Sequence, residues 1–146
     1  MGVMSMLERF TKWVMRLRRD GVSYEEFVSA PITTTDATPT PWTAIEIVPD
    51  TTSAGAITVR YVIQAVQSDG SNLYSITSEA SWSWPAGGPV GRRATASGAG
   101  TSSANTFAVQ RPTHSFDLAN VRPTITGKAG VTIIWSCNYR AVHYTQ

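Results

Sequence analysis

The spacing of hydrophobic and polar positions changes twice along the chain, and it predicts three segments. Up to residue 19 apolar positions recur every three or four residues, which places them on one face of a helix. Beyond residue 41 they alternate with polar ones, as in half-buried strands, and the stretch between has neither period. The pattern therefore predicts a helical arm over residues 1–30, an extended strap over 31–41 and a β-sandwich domain over 42–146.

The helical arm has the features of a docking element. Glycine is common just after a helix, so Gly21 is expected to end the first helix, and Ser23 is placed to cap a short second turn with Glu25 and Glu26. An apolar stripe on a helix is normally buried against other protein. We expect the arm to dock on another protein, or back on the body, through Leu7, Phe10, Trp13, Val14 and Leu17.

Positive charge in the arm offers a second interpretation. Five basic residues lie between positions 9 and 19 without an acidic residue among them, which is compatible with a nucleic-acid or membrane surface. The net charge of the chain is only +2, however. A coiled coil is a third alternative, but the stripe covers fewer than three heptads. Protein docking is the better-supported interpretation, so we expect no nucleic acid and no membrane insertion.

The strap and the strands predict an all-β body. Residues 31–41 contain three prolines and five threonines and should run extended, because proline lacks the amide and disfavours helix in its predecessor. Turn signals at sandwich-like intervals separate about seven period-two segments. These segments are 42–48, 57–67, 73–84, 106–110, 114–120, 122–126 and 131–145. An antiparallel β-sandwich or jelly-roll-like body follows, with the last strand central and core-lining, whereas residues 87–105 lack periodicity and predict a long mobile loop.

Composition narrows the class of protein. The 146 residues are 42% hydrophobic and only 15% charged, which suits one globular domain rather than a disordered chain. A single cysteine excludes an internal disulfide, and no run of 18 apolar residues is long enough to span a bilayer. Charges interrupt the apolar residues of the first 20 positions, so no secretory signal is expected and synthesis in a cytoplasm is implied.

Candidate catalytic chemistry is sparse. The chain has two histidines, His114 and His143, and one cysteine, Cys137, which falls inside a predicted core strand. No metal-binding spacing of histidine and cysteine occurs, and no phosphate-binding glycine motif. Four carboxylates could meet in space as an acid–base pair, although nothing in the pattern requires it. These are Asp36, Glu46, Glu79 and Asp117. We expect no catalytic residues, no metal and no cofactor.

Two features are candidates for surface recognition. Trp82 and Trp84 alternate with serines, so both indoles project from one face of a strand. Such a row could stack on sugars, or it could equally fill a core or a subunit interface. Arg92 and Arg93 lie in the predicted loop, where they could contact an anionic partner such as a glycan. A host surface glycan is therefore an alternative partner.

Three short motifs resemble a known family. They are the opening Thr-Thr-Thr-Asp-Ala-Thr-Pro-Thr at residues 33–40, the strand end Ala65-Val66-Gln67 before Asp69-Gly70, and the closing Ile-Thr-Gly-Lys-Ala-Gly-Val-Thr-Ile-Ile-Trp at 125–135. Together they resemble small β domains of tailed-bacteriophage structural proteins. The chain departs from that pattern before the closing motif, where Ser-Phe-Asp-Leu-Ala at 115–119 replaces an Ala-Trp-Asp-Ala type of sequence.

The resemblance implies a structural role. Domains of this family occur in tail-fibre and baseplate proteins, and similar small β proteins decorate heads. The family carries no catalytic motif to transfer. The resemblance implies a non-enzymatic virion protein that is assembled in the host cytoplasm, with a homotrimer and other virion proteins as expected partners. A tail-fibre or baseplate component is the first expectation, and a capsid decoration protein or a host-glycan-binding adhesin module is the alternative.

Overall fold

The computed structural model describes residues 15–19, 21–97, 101–102 and 113–146, and in these the chain is mainly β. All strand pairs among them are antiparallel, so the expected mainly β, antiparallel fold class is confirmed. The elements are β1 (Met15–Arg19), β2 (Val22–Val28), β3 (Ile32–Thr34), β4 (Pro39–Pro41), a 3₁₀ turn (Thr43–Ile45), β5 (Gly55–Gln67), β6 (Leu73–Trp84), β7 (Gly91–Ser97), β8 (Thr101–Ser102), β9 (Thr113–Phe116), β10 (Pro123–Thr126) and β11 (Ile133–Thr145).

Eight strands form one large sheet in which β11 is central. Its order is β1-β2-β11-β5-β6-β7, with β3 pairing to β11 and β8 to β6. The long strands β5 and β11 pair over their full length, from Gly55 opposite Thr145 to Gln67 opposite Ile133. The expectation that the last strand is central and lines the core is confirmed. Its core-facing side chains are Ile133, Trp135, Cys137, Tyr139 and Ala141.

A small three-stranded sheet, in the order β4-β10-β9, packs over the inner face of the large one. Phe116 at the end of β9 is the contact residue. Its ring centroid lies 5.3 Å from that of Tyr61 on β5 and 6.2 Å from that of Trp82 on β6. Ile125 of β10 is fully buried in the same core. The apolar residues of both sheets thus form one core between them. Among the described residues, no element covers the opposite face of the large sheet.

β1 and β2 form a β-hairpin, which corrects the short second helical turn predicted at Ser23. β1 pairs with β2, and β2 pairs in turn with β11. Gly21 has a φ of +74° in the turn, a conformation that tight hairpins require and glycine adopts readily. The physical reason is tertiary, because the edge of β11 supplies β2 with sheet hydrogen bonds and buries Phe27. Leu17 belongs to β1, and residues 1–14 of the predicted helix lie outside the described residues.

The strap contains the extended strands β3 and β4 and is part of both sheets, whereas two other predicted segments differ from expectation. Predicted strand 42–48 instead forms the 3₁₀ turn and a single bridge between Ile47 and Val121. Some of its backbone amides donate to carbonyls within the segment and others donate to residues 121 and 123, so no continuous strand pairing develops. The predicted loop 87–105 includes β7 and β8, since an edge strand can pair through its backbone without apolar periodicity. Predicted strand 106–110 lies outside the described residues.

The opening and closing motifs meet in the fold. β3 of the opening pairs with the start of β11, and β4 pairs with β10. The buried indole Nε1 of Trp135 donates to Thr34 Oγ1 at 2.8 Å. Gly127 lies against the same threonine, where an added Cβ would overlap Oγ1 and come within 2.6 Å of the Asp36 carbonyl oxygen. Segments about 90 residues apart in the sequence therefore form one packed unit, the motif junction (residues 32–41 with 123–135).

Replacing Gly127 with alanine should destabilise the motif junction. The new methyl group has no space between Thr34 and the backbone at Asp36, and overpacking of this kind costs about 1–3 kcal/mol. Urea unfolding followed by circular dichroism measures the change. Gly91→Ala is the matched control, because a Cβ there meets its nearest atom, in Arg93, only at 3.8 Å. Equal stability of the two variants would contradict the close packing at Gly127.

Candidate functional site

The outer side of the large sheet is the most extensive candidate surface, and we call it the open face. Directly opposed residues of antiparallel strands share a face, so the side chains form rows across β2, β11, β5 and β6. None of these side chains is buried. In order, the rows are Val22, Tyr144, Ala56 and Ser83; Tyr24, Val142, Thr58 and Ser81; Glu26, Arg140, Arg60 and Glu79; Val28, Asn138, Val62 and Thr77; Ser136, Gln64 and Ser75; and Ile134, Val66 and Leu73.

One row of the open face carries four charges. Arg140 and Arg60 are opposed on the two central strands, with Glu26 and Glu79 outside them. Arg140 Nε donates to Glu26 Oε1 at 3.2 Å. No hydrogen bond or ion pair joins the Arg60 side chain to another described residue. A shallow depression of about 240 Å³ lies at the two arginines and is lined by Arg60, Val62, Asn138 and Arg140.

Two of the four candidate carboxylates come together, but around an arginine. Arg122 Nη1 donates to Glu46 Oε2 at 3.0 Å, and its Nη2 donates to Asp117 Oδ2 at 3.2 Å. Partial burial works to raise the pKa of Asp117, but hydrogen bonds from Asn120, Ala119 and Arg122 outweigh it, so the pKa is lowered. Asp117 is therefore held as a carboxylate beside Arg122, a poor arrangement for general acid catalysis.

The remaining two carboxylates lie elsewhere. Asp36 accepts the Thr38 backbone N–H at 2.8 Å, which closes a local turn in the strap. Glu79 is exposed on the open face. The structure thus does not assemble the four acidic residues into one acid–base site.

His114 forms a polar cluster that the sequence pattern did not indicate. Its Nδ1 lies 3.2 Å from Tyr74 Oη, and its Nε2 lies 2.8 Å from Ser78 Oγ. A neutral imidazole has one N–H and one lone pair, so it donates to one hydroxyl and accepts from the other. Ser78 is only 1% exposed, which leaves its hydroxyl without access for a substrate. The cluster ties β9 of the small sheet to β6 of the large one, and its chemistry is structural.

Protonation of His114 should destabilise the fold. Burial disfavours the charged imidazole and lowers the pKa of His114 below its usual 6.5. The folded protein therefore binds this proton less tightly than the unfolded chain does, so stability is full above pH 6.5 and falls as the pH drops below it. Urea midpoints at pH 7 and pH 5 measure the loss, and His114→Gln should reduce it. Ser78→Ala keeps the burial and should keep the pH dependence. A dependence unchanged in His114→Gln would contradict the assignment.

The predicted recognition residues are not grouped on one surface. Trp82 and Trp84 are buried, so the packing alternative is correct for them and the sugar-stacking alternative is wrong. The Arg92 guanidinium donates to the Phe116 carbonyl at 3.0 Å, which gives it a structural contact between the sheets. Arg93 is exposed on β7, and its Nε donates to Ser83 Oγ at 2.7 Å. Of the four, Arg93 alone remains a candidate for surface contact.

Other chemistry is limited in the described ranges. Cys137 is buried on β11, and burial raises the pKa of its thiol well above the ordinary value, so it packs as an apolar side chain. His, Cys, Asp and Glu side chains form no group of three suited to a metal ion in these ranges. Among the same residues, no helix has the length and hydropathy needed to cross a bilayer.

Comparison with models of known protein families, with curated protein sequences and with solved structures found no match to this chain. The functional argument therefore depends on the residues and their geometry.

Proposed function

We propose that this protein is a non-enzymatic structural subunit of a tailed-bacteriophage virion, with a β-sandwich body that belongs to the tail fibre or baseplate. The observation that carries the proposal is the motif junction. The segments on which the family resemblance depends pair as β3 with β11 and β4 with β10, and they share the buried bond from Trp135 to Thr34. The resemblance therefore lies in residues that build one part of the fold together, which supports a family relationship over a chance likeness of composition.

The disposition of the polar residues supports a role through surfaces. Arg122 binds Glu46 and Asp117, and Ser78 of the histidine cluster is buried. The open face, by contrast, presents exposed side chains on four strands. Proteins that act by binding other molecules present exposed side chains on a rigid scaffold, as the open face does.

Attachment to the particle is assigned to the segment before β1. Its apolar residues Leu7, Phe10, Trp13 and Val14 are the proposed contacts with another virion protein. A homotrimer would repeat this contact three times, and linked weak contacts give an avidity well above that of one contact. The proposed subunit thus joins the particle by its N-terminal segment and displays its body.

Immunogold electron microscopy of intact particles, with antibody against residues 31–146, tests the placement. Label at the tail is the expected result. Label spread over heads would replace the tail proposal with capsid decoration, and particles without label would contradict a virion role. In a second arm, Leu7→Asp with Phe10→Asp should abolish incorporation of a folded protein, whereas the control Val48→Asp, at an exposed residue of the body, should not.

A further inference from the structure

We infer that the open face binds an acidic polysaccharide, with Arg60 and Arg140 holding its carboxylate groups. The two arginines are directly opposed on β5 and β11, so their Cα atoms are about 5 Å apart and their side chains leave the same side of the sheet. Like charges in this position destabilise a sheet. A pair that costs stability is the kind of feature that functional sites retain.

The donors of the arginine pair are largely unused. Glu26 accepts the Nε–H of Arg140, and described residues take up none of the guanidinium N–H groups of Arg60. Arg140 is 60% exposed, and Arg60 is also exposed. A guanidinium presents two parallel N–H groups that match the two oxygens of a carboxylate. The pair is therefore able to receive carboxylate groups from solvent.

The depression at the arginines has the size for part of a ligand. Its volume of about 240 Å³ is below the range of about 300–1,000 Å³ that encloses a whole small molecule. Asn138 and Val62 complete its lining. The amide of Asn138 can both donate to and accept from a sugar hydroxyl, and Val62 offers an apolar contact to a ring face. One acidic sugar of a longer chain fits this combination.

The rows beside the arginines suit the rest of such a chain. They present neutral hydroxyl and amide groups that can bond sugar hydroxyls directly or through water. Thr77 lies in the adjoining row, and Gln64, Ser75 and Ser136 lie one row further along. Thr58 and Ser81 on the other side already share one hydrogen bond, with their hydroxyl oxygens 2.9 Å apart, and keep capacity for one more each. An extended polysaccharide can lie across several strands and use them in succession.

Other occupants fit less well. The structure exposes eight large hydrophobic side chains in its described part, and six of them are on the open face. They are dispersed over three rows, with Val22 and Tyr144 at one end, Val28 and Val62 separated by Asn138 in the middle, and Ile134 and Leu73 at the other end. A second copy of the chain would need a contiguous apolar centre, which this dispersion does not supply. Duplex nucleic acid carries one phosphate charge per about 1.7 Å of its axis, so it would bring several phosphates towards Glu26 and Glu79 at once, where like charges repel. A polysaccharide carries at most one carboxylate on each acidic sugar and can place it at the arginines.

Calorimetric titration of the full chain tests the inference. The probes are oligosaccharides of galacturonate, glucuronate and sialic acid, with their neutral methyl esters as matched controls. At least one acid should bind, with its ester at least about tenfold weaker, and Arg60→Gln and Arg140→Gln should each weaken the acid by about tenfold or more. Lys128→Gln removes one positive charge from the turn before β11 and should leave binding unchanged.

Folding is monitored on the same samples. Arg60→Gln relieves the repulsion between the arginines, so it should unfold at the same temperature as the parent or higher. Arg60→Lys keeps the positive charge but lacks the two parallel N–H groups of a guanidinium, so it should bind the acid with intermediate affinity. Loss of binding together with an intact fold supports the site.

Four results would overturn the inference. They are no binding of any acid at millimolar concentration, equal binding of acid and ester, full binding by both glutamine variants, and tighter binding of a DNA duplex than of every acid. The inference depends on the open face and not on the proposed virion role. Unlabelled particles would remove the virion role and leave the titration result standing, so the two failures are distinguishable.

Discussion

Replacing Trp135 with alanine should lower the free energy of unfolding by about 3–5 kcal/mol. The side chain is fully buried at the motif junction, where its Nε1 donates to Thr34 Oγ1 and its ring packs edge-on to Tyr74 with centroids 6.5 Å apart. Truncation leaves a cavity in a core that two sheets build, and the Thr34 hydroxyl loses its partner. Urea denaturation at pH 7, followed by circular dichroism, measures the change.

Ile134→Ala is the matched control for Trp135→Ala. Ile134 is the next residue of β11, but it points to the open face and is 37% exposed. Its truncation should cost less than about 1 kcal/mol. If the two variants were equally destabilised, the open face would be covered by other residues of the chain. That result would also remove the surface on which the polysaccharide inference depends.

Replacing Trp82 with alanine should also cost about 3–5 kcal/mol, and any loss of glycan binding should follow the loss of fold. Trp82 is fully buried, its Nε1 donates to the Asp117 carbonyl at 3.2 Å, and its ring meets Phe116 edge-on at 84°. It therefore stabilises the contact between the sheets. Thermal unfolding and oligosaccharide titration on the same sample measure the two properties.

Ser83→Ala is the control at the next residue of β6, where the side chain faces outward and is half-buried. It loses one exposed hydrogen bond from Arg93 and should lower the free energy of unfolding by about 1 kcal/mol or less. A Trp82→Ala protein with full stability and lost glycan binding would contradict the core placement. It would restore the interpretation of Trp82 as a sugar-stacking residue.

The N-terminal hairpin shows where local signals were ambiguous. Asp20-Gly21 is a strong hairpin signal when strands flank it. Apolar spacing of three and four across residues 3–19 favoured a helix instead, and Gly21 was then interpreted as its end. A turn and a helix terminus both use glycine with positive φ, so the residue itself does not distinguish them. Pairing of β2 with β11, a strand distant in the sequence, stabilises the hairpin.

For the site residues too, the sequence predicted which side chains share a face of a strand but not what that face contacts. Alternation along β6 correctly placed Trp82 and Trp84 on one face, but alternation does not say which face a second sheet covers. The same limit applies to Arg60 and Arg140, which the sequence analysis did not single out. Each lies at an outward position of its strand, and their opposition depends on a register between β5 and β11. The pairing of His114 with Tyr74 and Ser78 likewise needs β9 to lie on β6.

The sequence by itself determined the mainly β class, the long strands β5, β6 and β11, and the core-facing side of β11. These features follow from a period of two and from turn residues, which act over a few neighbouring positions. Tertiary structure alone decided the hairpin, the strands of the strap, the motif junction and the charged row of the open face. Each of these joins segments distant in the chain through backbone hydrogen bonds, and a backbone hydrogen bond is the same for every residue type except proline. Their partners are therefore selected by the packing of the whole fold.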